Sequence, residues 1–427
     1  MGVFRNENAA TLLFRDTQNR ENALTLAQRA TSLRLTMASP MRPVALLLIS
    51  SLWLITTGFA QRPPEAEEGP STPPNILKTP AGTVETGSMG NAAYRIDVPA
   101  NWNHSLVVFY HGYSERSFHY RSDAQLHDQA RPMFQRGFAV IQSGYSQTGW
   151  ALQAAYPETE RLRKYFTKKY GQPKETFVAG GSMGGALTMM TLELNPKPYV
   201  AGLDLCGAVE PTYEWASRRF AWRAAFDYYF PGIFPPLVPT PQNFTENDGL
   251  RQKILTALKA NPAAAASMRD ITYEHTDLQV ANLMMYITWQ MADFQRKAGG
   301  NPFENRNYIY TRSSEDPHTD YALNDGVRRY AADDKARKWV ATWYTPTGKL
   351  TRPMLALHTV FDPLVPATPM TLYGRMVEEA GFGNNYVQTY VHREGHCTMN
   401  ADEVGRAFDQ LLLWVHQKKI PQAGLLR

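Results

Sequence analysis

Cysteine is nearly absent: 2 residues in 427. At most one disulfide can form. A surplus of one charge sign is also missing. The formal net charge is +5, but residues 1–60 carry six Lys/Arg against three Asp/Glu. Beyond them, 38 basic residues face 36 acidic ones. No basic stripe runs along the chain, which argues against a nucleic-acid partner. His318 has no second histidine at ligand spacing, so Asp316-Pro317-His318-Thr319-Asp320 reads as a polar loop and no metal site is expected. What remains is an ordinary globular composition, 43% apolar and 19% charged. The length allows one large domain with an insertion, or two domains.

One long apolar run is present. Arg42 precedes Pro43 through Phe59, broken only by small and hydroxyl residues, and Gly58-Phe59-Ala60 closes it. This pattern predicts a secretory signal region over 1–60, cleaved after Ala60, with Met37 or Met41 as alternative starts. The alternative is an uncleaved membrane anchor, since the run is nearly long enough to span. No cysteine follows the run, so a lipoprotein is not expected. The expected location is secreted or periplasmic. Residues 61–82 are rich in proline and acidic residues and read as a linker.

The most informative stretch is Thr176-Phe177-Val178-Ala179-Gly180-Gly181-Ser182-Met183-Gly184-Gly185-Ala186. It reads as a buried strand, then Gly-x-Ser-x-Gly, then a helix opening with small residues. That context predicts a sharp turn lifting the Ser182 hydroxyl clear of a sheet. The strands around it follow a rhythm. Thr83–Val98 reads as a hairpin. Leu106–Tyr110, Phe138–Ile141, Tyr199–Cys206, Met354–His358 and Tyr386–His392 read as strands, most of them continuous apolar runs. Helices are expected at Glu158–Tyr170, around Thr368–Ala380, and after Asn400, where Glu403 completes a capping pattern. The alternation predicts an α/β fold with a mostly parallel sheet covered on both faces, over 83–211 and 346–427.

Between them, 212–345 shows no buried strand. Helices are expected at Tyr213–Tyr229, Leu250–Lys259, Thr276–Lys297 and Gly326–Trp343, forming a helical cap. The third is apolar nearly all round and is expected to be core rather than pocket wall. The cap carries Trp215, Phe220, Trp222, Phe226, Tyr228, Tyr229 and Phe230, which points to an apolar or aromatic acyl or alcohol group.

A serine hydroxyl needs a base to take its proton and an acid to orient that base. Ser182, Asp362 and His396 each follow a predicted parallel strand, in the order serine, acid, histidine. Open α/β sheets gather ligands at that edge. Asp204 and Glu210 are alternative acids, and His392 and His358 alternative bases.

With these residues the chain resembles the α/β-hydrolase superfamily of serine esterases, over about 83–210 and 350–420. His111-Gly112-Tyr113 looks like the family's oxyanion loop, Asp362 in Phe-Asp-Pro-Leu-Val-Pro like its acid loop, and Gly395-His396 like its histidine loop. The resemblance implies that Asp362 orients His396, that His396 activates Ser182, and that the backbone N–H groups of Met183 and Tyr113 form the oxyanion hole. It implies no cofactor. Gly-x-Ser-Met-Gly-Gly occurs in esterases, polyester hydrolases and prolyl-oligopeptidase-like peptidases alike.

Cys206 and Cys397 end up near the same sheet edge. A bridge between them would tie the histidine loop to the sheet, while two buried free thiols are the alternative. Tannase and feruloyl-esterase-like enzymes also place a cysteine just after the catalytic histidine. Their partner cysteine precedes the serine, where this chain has Gly181, so that resemblance is partial. The expected activity is ester hydrolysis on a small-molecule or oligomeric substrate. A serine peptidase and a non-catalytic binding protein are the alternatives, and the oligomeric state is open.

Overall fold

The computed structural model describes residues 69–427; the expected signal region and the start of the expected linker lie outside the described residues. Three antiparallel strands open this part: β1 (Asn75–Thr79), β2 (Gly82–Met89) and β3 (Ala92–Pro99). The hairpin turns at Gly90, whose φ of 58° suits glycine. β1 falls inside the stretch expected to be a linker. It is a largely exposed edge strand held by backbone pairing to β2, so no apolar alternation announces it. Pro73-Pro74 and Pro80 bracket it and cost it no ladder bond.

From here the strands are mutually parallel: β4 (Leu106–Tyr110), β5 (Ala139–Ser143), β6 (Thr176–Gly181), β7 (Ala201–Leu205), β8 (Met354–Phe361), β9 (Tyr386–Glu394) and β10 (Gly424–Leu425). The spatial order is β1-β2-β3-β5-β4-β6-β7-β8-β9-β10. The chain leaves β4 to one side and returns on the other, so β4 lies between β5 and β6. The loops after β4 and β6 therefore emerge side by side, at the switch point where such sheets bind ligands.

Period two divides the strand side chains between two cores. Leu106, Val108 and Tyr110 face the core shared with α2 (Leu152–Tyr170) and α3 (Met183–Leu194), which extends across the sheet to α10 (Thr368–Glu379). Val107 and Phe109 pack on the opposite face with α1 (Arg131–Gln135) and α11 (Ala401–Gln417). Each such fully buried side chain contributes about 1.5–3 kcal/mol, so the parallel sheet is the stable frame. The Asn400/Glu403 capping box starts α11 as expected.

Between β7 and β8 the described chain is helical: α4 (Thr212–Tyr229), α5 (Asp248–Ala260), α6 (Pro262–Thr272), α7 (Asp277–Ala298), α8 (Pro317–Gly326) and α9 (Asp334–Thr342). Three of these differ from expectation. α6 is additional: Asn261 caps it and Pro262 occupies its first turn, but its alanine run has no apolar periodicity. The helix expected over Gly326–Trp343 is shorter, running only over Asp334–Thr342, where Asp333 accepts from the Lys335 and Ala336 N–H groups and starts α9. α8 instead begins in the stretch expected to be a polar loop, 316–320, because Asp316 caps it by accepting from His318 N–H and Pro317 suits its first turn. These helices lie over the C-terminal edge of the sheet. Tyr113, after β4, packs edge-on against Tyr286 and Trp289 of α7. Trp150, after β5, does so against Trp215 of α4. Among the described residues no helix is long and apolar enough to cross a membrane.

Candidate active site

Ser182 joins β6 to α3 with φ 60° and ψ −120°, a positive-φ conformation that a non-glycine residue adopts only under constraint. Its N–H bonds to Leu205 O at 2.9 Å, which ties the turn to β7. The glycines around it are there for close approach. A Cβ on Gly180 would lie 2.4 Å from Gly184 O, and one on Gly184 would lie 2.2 Å from Tyr110 O. Helix and strands therefore cross at backbone contact, which aims the serine outward.

Three loops converge on that hydroxyl. Ser182 Oγ lies 2.7 Å from His396 Nε2, and His396 Nδ1 lies 2.7 Å from Asp362 Oδ2. The other carboxylate oxygen, Oδ1, accepts the N–H groups of Leu364 (3.0 Å) and Val365 (2.8 Å). Asp362 is thus held from behind by two backbone donors and faces His396 with its free oxygen. The histidine loop is pinned to β8: Gly395 N–H donates to Phe361 O, and Thr359 Oγ1 donates to Gly395 O. In this order a proton on Nδ1 is shared with Asp362, and Nε2 is left to accept from Ser182.

The loop after β4 passes directly beside the serine. A Cβ on Gly112 would come 3.3 Å from Ser182 Cβ. His111 is buried between the rings of Phe118 and Tyr145, with centroids 3.7 and 3.9 Å away. Burial pushes its pKa down to about 3, so it is a neutral wedge that props the loop. Met183 is the first residue of α3, where N–H groups have no intrahelical acceptor. Met183 and Tyr113 thus flank Ser182 on two sides.

Cys206 and Cys397 are joined in a disulfide with Cα atoms 5.4 Å apart. It connects the residue after β7 to the residue after His396, across 191 positions of chain. Closing so long a loop constrains the unfolded chain strongly. The Cys206→Ser/Cys397→Ser double variant is expected to lose about 2–5 kcal/mol of stability, with kcat falling more than KM rises because the His396 loop loses its anchor. Urea denaturation and ester kinetics on the same sample check both.

The alternative acids and bases go elsewhere. Glu210 is engaged twice by Arg218, at 2.6 and 3.3 Å. His358 bonds through Nδ1 to Thr359 O and leaves Nε2 3.9 Å from Asp362 Oδ2. His392 is exposed on β9, and His318 is exposed on α8. Asp204 is fully buried under Gly185 and Gly207, and burial raises its pKa to about 7, with only the Gly207 N–H favouring the charged form. A carboxyl raised in the fold costs nothing below its unfolded pKa near 4, destabilises increasingly between there and about 7, and levels off above that. Asp204→Asn is therefore expected to match the parent's stability at pH 4 and exceed it at pH 8 by up to about 4 kcal/mol. Denaturation at the two pH values reads this difference.

Ser182 lies between two depressions. One is an open groove of about 800 Å³ lined by His111, Gln129, Leu126, His396 and Met399. The other is a cavity of only about 20 Å³ under α4 and α7, lined by Tyr113, Trp150, Trp215, Arg218, Arg219 and Gln290. α7 is mostly core, as expected, yet its Tyr286 and Gln290 reach this cavity. Of the aromatic residues noted on α4, Trp215 lines it, while Phe220 and Phe226 are fully buried in the core. Arg219 was not singled out from the sequence. The available signal was an Arg-Arg pair within an apolar, aromatic helix, where an arginine is costly to bury.

No protein-family model and no curated protein matches the chain. Solved structures align with it only at low identity and low TM-score. Feruloyl esterase B from Aspergillus oryzae aligns at 11% identity and TM-score 0.41, over 82% of this chain and 88% of that one. Lipase A from Candida antarctica aligns at 13% and 0.44, over 84% of each. A Pyrococcus horikoshii acylaminoacyl peptidase aligns at 10% and 0.38, over 80% of this chain and 41% of that one. These alignments carry no argument; the fold rests on the chain's own geometry. The strand order, the serine turn between β6 and α3, and the loops after β4, β8 and β9 meeting at that turn give this chain the α/β-hydrolase fold.

Proposed function

We propose that the protein is an exported serine hydrolase that cleaves carboxylic esters through an acyl-enzyme. The observation that carries this reading is the unbroken chain Ser182 Oγ, His396 Nε2 and Nδ1, Asp362 Oδ2, with 2.7 Å at each contact. His396 takes the Ser182 proton as Oγ attacks the ester carbonyl. Asp362 keeps the imidazole oriented and balances the positive charge it gains. The N–H groups of Met183 and Tyr113 stabilise the developing oxyanion. His396 then gives its proton to the departing alkoxide, and water repeats the sequence to release the acid. The helices over the sheet edge act as a cap. Export is supported by the apolar segment before Ala60 and by the disulfide, which persists in oxidising compartments.

The test is turnover of p-nitrophenyl esters of increasing acyl length by the full chain and by Ser182→Ala, beside p-nitroanilide peptides. Ester turnover that falls by about 10⁴-fold or more in the variant is expected. Anilide turnover in place of ester turnover would make the protein a peptidase. Turnover of neither would leave a binding protein on a hydrolase fold.

A further inference from the structure

The small cavity beside Ser182 has walls unsuited to a purely apolar group. Arg219 is 5% exposed and stands on its rim. Its guanidinium donates to Gln290 Oε1 at 2.9 Å and to Leu364 O, and stacks over the Trp215 ring at 4.6 Å. All of these partners are neutral. Among the described residues no carboxylate forms an ion pair with it. Arg218, its neighbour in the same cavity, is already matched by Glu210. Two guanidiniums and one carboxylate, that of Glu210, line the cavity, which therefore carries a net positive charge.

Two further groups point the same way. Trp215 Nε1 and Tyr113 OH, both on residues lining the cavity, are buried and have no hydrogen-bond partner in the described structure. The indole nitrogen can only donate, and the phenol can donate. A buried charge or donor left unpaired is costly, so a site built this way is completed by an acceptor that carries negative charge. The space is narrow, which favours a flat, compact anion. A carboxylate meets a guanidinium in a planar, two-point contact.

Resting on the hydrolase reading above, we propose that this cavity is a carboxylate subsite: the ester that reaches Ser182 carries a free carboxylate on one arm, and Arg219 pairs with it. A monoester of a dicarboxylic acid, or an ester of a hydroxy acid, has the required form. The carboxylate stays intact while the ester bond is cleaved, so it anchors the substrate and sets which carbonyl lies against Ser182.

Two isosteric substrate pairs test this on the full chain, followed by pH-stat. Monoethyl glutarate is compared with monoethyl glutaramate, and O-butanoylglycolate with O-butanoylglycolamide. The readout is the acid-to-amide ratio of kcat/KM within each protein, so a general loss of activity cancels. The acid is expected to be favoured in at least one pair by about ten- to a hundredfold, the range for a charge-assisted contact. Arg219→Gln is expected to abolish the preference, Arg219→Lys to restore part of it, and Trp215→Phe to weaken it. Equal handling of acid and amide in both pairs, or a preference that survives Arg219→Gln, overturns the proposal. If no ester is turned over, calorimetric titration of the Ser182→Ala protein with the two acids still decides. Binding that disappears in Ser182→Ala/Arg219→Gln supports the subsite, whereas no binding, or binding unchanged by the second substitution, rejects it.

Discussion

Asp362→Asn is expected to lower kcat on a small ester by about 10³- to 10⁴-fold while leaving KM nearly unchanged. The argument rests on which way the amide must face. Oδ1 of Asp362 accepts two backbone N–H groups, from Leu364 and Val365. An asparagine keeps its carbonyl oxygen there, because an NH₂ group facing two donors would leave all of them unsatisfied. The NH₂ then occupies the place of Oδ2 and donates to His396 Nδ1. That forces the ring proton onto Nε2, which faces Ser182 Oγ 2.7 Å away. The histidine becomes a donor where a base is needed. The fold is expected to survive, since the burial and backbone bonds are retained. A thermal melt beside the kinetics separates this outcome from unfolding, and a loss of less than tenfold would indicate that Asp362 is not the orienting acid.

Gly184→Ala is expected to remove both stability and activity. The added Cβ would lie 2.2 Å from Tyr110 O and 3.1 Å from His111 O. Both are backbone atoms of β4 and its following loop, so no side chain can swing aside. α3 must move off β4, or β4 must leave β6. Overpacking of this kind costs on the order of 3 kcal/mol. The same displacement separates Met183 from Tyr113, whose N–H groups must act on one oxygen atom. Activity is therefore expected to fall by more than tenfold even at temperatures where the variant remains folded. A variant with parental melting temperature and kcat would contradict the close crossing at this point.

The strands and the residues at their ends were legible in the sequence because local rules govern them. A strand buried on both faces is a continuous apolar run, as in Leu106–Tyr110, and a serine turn between strand and helix needs glycines at fixed offsets. The helix cap at Asn400 obeys an equally local rule; the cap at Asn261 is not legible, because no apolar periodicity follows it. β1 escaped because an exposed edge strand owes its existence to its neighbour's backbone, which no local pattern records. Geometry, not pattern, separates Asp204, Glu210 and Asp362. Asp362 reaches His396, Glu210 is engaged by Arg218, and Asp204 is sealed beneath two glycines. The disulfide was open for a related reason: spacing in sequence does not say which way two Cβ atoms point. The cavity was least legible. Arg219, Gln290 and Leu364 come from α4, α7 and the loop after β8, and only folding brings them together.

Labelling by a fluorophosphonate, followed by intact-mass and peptide mass spectrometry, addresses the central claim most directly, because it asks for a reactive serine without assuming a substrate. The full chain is expected to take up a single adduct on the peptide containing Ser182. His396→Ala is expected to label far more slowly, with the fold intact. No adduct on the folded protein, or an adduct on another residue, would contradict the assignment of Ser182 as an activated nucleophile.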